Sequence, residues 1–203
     1  MQNQLLPLLG NIDIYLFDQL LKGTYDNCDK VLDAGCGAGR NLVYFLKSGF
    51  DVYAVDPNPA AITAVTELSA ALSPGNPQGN FVNTSIEDMP YPDAFFDLVI
   101  SSAVLHFAND EQHFKRMLFG MWRVLKPGGF LFARLASDIG IEQLVLPLGN
   151  GRHFLPDGSE RYLVNEQQLL TLTHELGAYL HEPIKTTNVQ HLRCMTTWCL
   201  QKL

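Results

Sequence analysis

Two rhythms of apolar and polar positions alternate along most of this chain. Short runs rich in β-formers predict strands at 30–34, 51–55, 80–84, 97–101 and 130–135; the run at 97–101 is apolar on both faces, as a buried parallel strand should be. Helical spacing predicts helices at 40–48, from 59 to about 72, and at 110–124. Asn58 before Pro59 marks a helix start, since asparagine caps free N–H groups and proline fits the first helical position. Residues 73–79 and 126–129 are turns by their proline, glycine and polar content. The β-α-β-α order predicts an open parallel sheet with helices on both faces.

Both ends depart from this rhythm. Residues 11–23 have helical spacing with two apolar stripes, Ile12, Tyr15, Leu16 and Leu20 on one and Ile14, Phe17 and Leu21 on the other, so both faces must be covered. This helix either packs on the sheet or closes over a site. Residues 136–164 show no clean period, and a long irregular connection is usually functional. Asn165 with Gln168 predicts a capped helix to about 176, with Gly177 at its end. Strand-like segments at 180–186 and 192–201 are joined so closely that they must pair as a hairpin, with the last strand antiparallel. The expectation is an α/β fold: a doubly wound, mostly parallel seven-stranded sheet with an antiparallel last strand. It forms a single domain over 1–203, with 1–27 as an N-terminal helical lid and 137–164 as a cap insertion.

The chemistry concentrates in Asp33-Ala34-Gly35-Cys36-Gly37-Ala38-Gly39, directly after the first strand. Glycine tolerates positive φ and lets backbone approach a ligand, and the following helix start should present N–H groups to it. A nicotinamide-binding turn usually reads G-x-G-x-x-G, whereas these glycines strictly alternate. Asp33 would repel a pyrophosphate and would suit a ligand with a positive centre. Asp56 ends the second strand about 20 residues on, where an acid accepts hydrogen bonds from ribose hydroxyls.

These features resemble the class I S-adenosylmethionine-dependent methyltransferases, as do 31–39, 52–56, Ser85-Ile86-Glu87-Asp88-Met89-Pro90, 95–106 and 123–132, taken in this order. The resemblance implies their seven-stranded fold, S-adenosyl-L-methionine as cofactor and S-adenosyl-L-homocysteine as product. It also implies that Asp33 and the backbone of Gly35, Cys36, Gly37 and Gly39 hold the methionine end, with Arg40 beside them. Asp56 would hold the ribose, and Pro57, Ser85, Ile86 and Glu87 would surround the adenine, with Ser101 at the strand end nearby. The family often has an acid where this chain has Ser85. Arg40-Asn41 and Gly49-Phe50-Asp51-Val52 also look like small tellurite-resistance methyltransferases.

The acceptor belongs at the carboxyl ends of the strands, where His106 is the candidate to face the transferred methyl. Arg134, the one cation in an apolar strand, should point into a polar site or meet a carboxylate, and with His106 it is the candidate catalytic pair. Arg152, His153, Arg161 and Tyr162 from the irregular segment, with Arg193, His191 and Tyr15, are candidates to bind an anionic acceptor, because guanidinium forks suit planar oxyanions. Methyl transfer requires a general base only when the acceptor binds protonated.

The formal net charge of −7 and the absence of a Lys/Arg block argue against a nucleic-acid or membrane partner and for a small-molecule acceptor. No Asn-Pro-Pro-Tyr-like tetrapeptide follows 97–101, which disfavours amino-group methylation of bases. Four cysteines without metal-binding spacing read as reduced residues of a cytoplasmic protein, and no metal is expected. The competing readings are a nicotinamide-dependent oxidoreductase and a non-catalytic cofactor-binding partner protein.

Overall fold

The computed structural model describes residues 5–203; residues 1–4 of the expected lid lie outside the described residues. Two short helices, α1 (Leu5–Leu9) and α2 (Ile14–Leu21), precede the sheet. Strands β1 (Lys30–Ala34), β2 (Asp51–Asp56), β3 (Phe81–Asn83), β4 (Phe96–Ser102) and β5 (Leu125–Ser137) follow, with helices α3 (Val43–Lys47), α4 (Pro59–Leu72) and α5 (Glu111–Val124) among them. A small insertion forms β6 (Leu146–Gly149), β7 (Arg152–Phe154) and β8 (Glu160–Tyr162). Helix α6 (Glu166–Glu175) then leads to β9 (Ala178–Leu180), β10 (Lys185–Val189) and β11 (Arg193–Lys202).

The main sheet runs β10-β11-β5-β4-β1-β2-β3, with β9 also on β11. β11 is antiparallel to β5 and to both β9 and β10. The expected seven-stranded sheet therefore stands, with its penultimate strand split in two around Pro183, which has no N–H to give a ladder. Strand alternation sends Val31, Leu98, Ile100 and Phe132 into one core with α3 and α4, and Leu32, Val99 and Leu131 into another with α5 and α6.

Helix starts match their sequence signals where a side chain caps them. Asn58 Oδ1 accepts from Ala60 N, and Asn165 and Gln168 form a reciprocal capping box. Four expectations are corrected. The helix after the glycine turn begins at Val43, not at 40, because Gly37 and Gly39 hold φ of +51° and +75° and the chain turns until Leu42. Residues 126–129 form a bulge within β5, where pairing jumps from Leu125 opposite Phe96 to Phe130 opposite Leu98. Residues 136–164 are not irregular throughout, since β6–β8 form an antiparallel sheet. Helix α2 buries Leu16 against the α3/α4 core but leaves Ile14 and Leu21 exposed, so its second stripe is uncovered.

Candidate cofactor and acceptor site

β1 is the switch point of the sheet: the chain leaves it toward β2 on one side, and β4 returns on the other. At the carboxyl ends of β1 to β4 lies a cleft of about 480 Å³. Gly35 and Gly37 form its floor, Asp56 and Pro57 one side, and Ser85, Ile86 and Glu87 the next. Ala103, Val104 and Phe107 close it from the β4 end, with His113 and Met117 of α5 opposite.

The glycines divide the work. A Cβ on Gly37 would meet nothing within 4 Å, so the backbone there is open to a ligand. A Cβ on Gly35 would stand 2.6 Å from Val104, and one on Gly39 3.0 Å from Leu68. Gly39 thus permits packing on α4 and does not line the cleft, contrary to its expected cofactor role. Helix α3 has only five residues, so the helix-end contribution expected from sequence is not built here. The turn's amides look inward instead: Gly35 N and Cys36 N donate to Val55 O, and Gly37 N donates to Asp56 Oδ2 at 2.9 Å. Asp56 Oδ1 accepts from Asn58 N, which fixes the carboxylate at the cleft wall.

Asp33 is buried and, contrary to expectation, does not line the cleft itself; its Oδ2 has no hydrogen-bond partner among the described residues. Burial pushes its pKa up to about 7, against the pull of Arg40 and with the added push of Asp56. A buried carboxylate without a partner, a glycine with open space and a largely apolar cleft fit an adenosyl ligand with a cationic end. Cys36 is buried, and burial raises its thiol pKa, so it is a packing residue, not a nucleophile. Ser85 Oγ donates to Asp88, not toward the cleft. Ser101 is fully buried with an unpartnered hydroxyl and does not line the cleft. His113, which sequence reading missed, donates from Nε2 to Glu87 Oε1 at 2.7 Å, because its Nδ1 accepts from Asn109 N.

Past Ala103 and Phe107 lies a second chamber of about 360 Å³. His106, Arg134, Arg161 and Arg193 line it, with Asp157 and Ser159 at one side and Leu155, Val189 and Met195 as apolar wall. His106 Nδ1 accepts from Ala136 N at 3.2 Å, leaving the proton on Nε2. Burial and the Arg161 charge lower its pKa to about 4. Arg161 lies over the Phe107 ring at 5.0 Å and makes no ion pair among the described residues. Arg193 meets Asp157 at 3.7 Å.

Arg134 answers both expectations made of it. It lines the chamber, and its Nη1 donates to Asp13 Oδ2 at 2.9 Å. Asp13 is a residue that sequence reading missed. Its buried carboxylate caps α2 through Tyr15 N, accepts from Ser102 Oγ, and lies 3.6 Å from Arg40. Its position before a helical run was the available signal. Arg40 is engaged here and donates to Ser102 Oγ, so it does not line the cofactor cleft.

Several expected acceptor residues are placed elsewhere. Tyr15 lies under Arg134 at 5.1 Å and shares a hydrogen bond with Thr187, so it supports the chamber without lining it. Arg152 donates to Ala108 O and ties the small sheet to the chain after β4. His153 contacts its own loop at Gly151 O. Tyr162 faces away from Arg161 and stacks on Phe114 at 5.0 Å. His191 sits at φ +59° in the exposed β10–β11 turn. Among the described residues no cluster of His, Cys, Asp and Glu could hold a metal ion, and no helix is long and apolar enough to cross a membrane.

A family model described as a methyltransferase domain matches residues 32–133, from β1 through the middle of β5. The chain belongs to the class I S-adenosylmethionine-dependent methyltransferases. This decides between the sulfonium and nicotinamide readings of the glycine turn. The chain is 37% identical over 100 residues to an uncharacterized methyltransferase of Synechocystis sp., covering 49% of this chain and 43% of that protein. It is 34% identical over 110 residues to a malonyl-[acyl-carrier protein] O-methyltransferase of Enterobacter lignolyticus, covering 54% of this chain and 40% of the relative. The chain thus spans about two fifths of the length of these curated relatives. Among solved structures, the PH0226 protein of Pyrococcus horikoshii superimposes with a TM-score of 0.72 at 18% identity, over 94% of this chain and 89% of that one. That likeness supports the fold alone.

Proposed function

We propose that this methyltransferase transfers a methyl group from S-adenosylmethionine to a small anionic molecule held in the arginine-lined chamber. The observation that carries this reading is that Ala103 and Phe107 line both the cofactor cleft and the chamber, so the two spaces adjoin there. Ligands in the two spaces would come together at that junction, and alignment of two reactants is most of what a methyl transfer asks of a protein. When bound, the cofactor supplies an activated methyl on a cationic sulfur.

In this reading Asp33 faces the cationic end of the cofactor, Asp56 the ribose, and Glu87, held by His113, the adenine edge. Pro57, Ser85 and Ile86 shape that end, while Cys36, Gly39, Arg40 and Ser101 support it from behind. Arg161, Arg193 and Arg134 draw in and orient the acceptor, and His106 donates from Nε2 beside the junction. The O-methyltransferase name of one relative supports an oxygen acceptor. The segments 1–27 and 137–164 act as lid and cap, since α2 reaches Arg134 through Asp13 and β8 brings Arg161 over the chamber.

Calorimetric titration with S-adenosylhomocysteine tests the cofactor half: one site per chain is expected, with no heat from a nicotinamide dinucleotide. Label transfer from methyl-tritiated cofactor to small anions, lost in Arg161→Ala with cofactor binding intact, tests the acceptor half. Cofactor binding that fails, or label transfer that survives Arg161→Ala unchanged, refutes the corresponding half.

A further inference from the structure

Among the described residues the ionisable groups lining the acceptor chamber are mainly cations, and its two groups able to take a proton, His106 and Asp157, are both already engaged. His106 is the one imidazole on its wall, and Nδ1 is occupied by the Ala136 N–H at 3.2 Å. Its Nε2 therefore carries hydrogen and faces the chamber as a donor. Burial and Arg161 further disfavour a second proton on the ring, lowering its pKa to about 4. Asp157 is the one carboxylate on the wall. Its burial opposes ionisation, but bonds from Ser159 and the charges of Arg193 and Arg161 outweigh that and hold its pKa below the ordinary value. It accepts from Ser159 N and Oγ and lies 3.7 Å from Arg193, so it is a committed anion. The remaining ionisable groups are Arg134 on β5, Arg161 on β8 and Arg193 on β11, all permanent cations. Asp13 is turned to Arg134 from behind the wall.

From this we infer that the methylated atom is a carboxylate oxygen, ionised before it binds, and that the product is a methyl ester. The inference rests on the proposed function of the same chamber. An amine, alcohol or phenol must lose a proton to react, and the chamber's imidazole and carboxylate are already committed to Ala136, Ser159 and Arg193. A carboxylate is already anionic at neutral pH and planar, and it suits guanidinium forks. The step balances without proton movement. The carboxylate oxygen forms the O–CH₃ bond, the S–CH₃ bond breaks, and its electron pair goes to sulfur. One negative and one positive charge are consumed together. His106 is then a positioning residue, whose Nε2–H orients the oxyanion beside the Ala103–Phe107 junction.

The test uses the full chain, methyl-tritiated cofactor and a panel of C4–C10 aliphatic and aromatic carboxylic acids. Matching alcohols, phenols and amines form the comparison set. Base treatment releases label from methyl esters as volatile methanol, whereas ethers and methylamines retain it. The expected result is base-labile product from acids, with kcat/KM changing less than twofold from pH 6 to 9. His106→Gln, which can donate but has no basic nitrogen, should keep turnover within about tenfold of wild type, while His106→Ala should fall further; a base would be lost in both by about 10²–10⁴-fold. Base-stable label, a rate rising tenfold per pH unit, or equal and severe loss in both variants overturns the inference. So does cofactor binding with neither turnover nor thermal stabilisation by any acid in the panel. Failure of S-adenosylhomocysteine to bind instead strikes the proposed function, which separates the two.

Discussion

Replacing Asp13 tests whether one carboxylate seats the first helix against the site. Asp13 Oδ1 caps α2, and its Oδ2 meets Arg134 at 2.9 Å and Ser102 Oγ at 3.2 Å with its side chain fully buried. Asp13→Ala removes both functions. Loss of the cap costs about 1 kcal/mol. Leaving Arg134 unpaired adds about 3 kcal/mol, the low end for a broken buried pair, because Arg134 retains 19% side-chain exposure. Asp13→Asn keeps a good cap and removes only the charge, so it isolates the pair at about 3 kcal/mol. At about 2–4 °C per kcal/mol for a chain of this size, the Tm should fall by about 8–16 °C in Asp13→Ala and about 6–12 °C in Asp13→Asn. Calorimetric melting measures both. Arg134→Met in the Asp13→Asn background removes the stranded charge, so the double variant should be less destabilised than the sum of the singles by about 2 kcal/mol. A Tm change under about 2 °C in both single variants, or strict additivity in the double, refutes the assignment of this pair.

Asp56→Ala should weaken S-adenosylhomocysteine at least about tenfold by calorimetry, since it removes an acceptor at the cleft wall and frees the Gly37 amide. Gly37→Ala should fold with a loss of about 1 kcal/mol for its positive φ yet block the cofactor, whereas Gly35→Ala should be clearly less stable, because its Cβ would strike Val104; urea unfolding and titration compare the two. Asp33 is protonated more readily in the folded chain, about 7 against about 3.9 unfolded, so stability present below pH 4 is lost as pH rises through 7. Asp33→Asn should therefore raise Tm at pH 8.5, leave it unchanged at pH 4, and weaken the cofactor; an equal Tm shift at both values contradicts the buried-carboxylate account.

The sheet was legible because its strands and caps are encoded locally. Asn58-Pro59 and the Asn165/Gln168 pair place helix starts that the structure reproduces to the residue. The candidate cleft was legible in outline, since Gly35, Gly37, Asp56, Pro57 and residues 85–87 follow strand ends in order and line one cavity. What failed depends on long-range geometry. Gly39 reads as a ligand-facing glycine but serves a helix packed 26 residues later, at Val65 and beyond. Adjacent Arg161 and Tyr162 read alike in sequence as acceptor residues, yet a strand sends them to opposite faces, and β8 is defined only by its pairing with β7. Asp13 and His113 gave only capping and helical signals in sequence. Their roles arise from Arg134 and Glu87, 121 and 26 residues away.

Ala103 and Phe107 form a border common to the cleft and the chamber. Ala103 holds it at φ +64° while its N–H donates to Arg134 O, so the same peptide fixes the arginine strand and the nucleoside wall. A substitution at 103 or 107 must therefore reshape both spaces at once. Under the proposed function, acceptor range and cofactor affinity are therefore not independently tunable at these two positions, and variants selected for bulkier acceptors should accumulate changes at the far wall, around Leu155, Val189 and Met195, before any at the shared border.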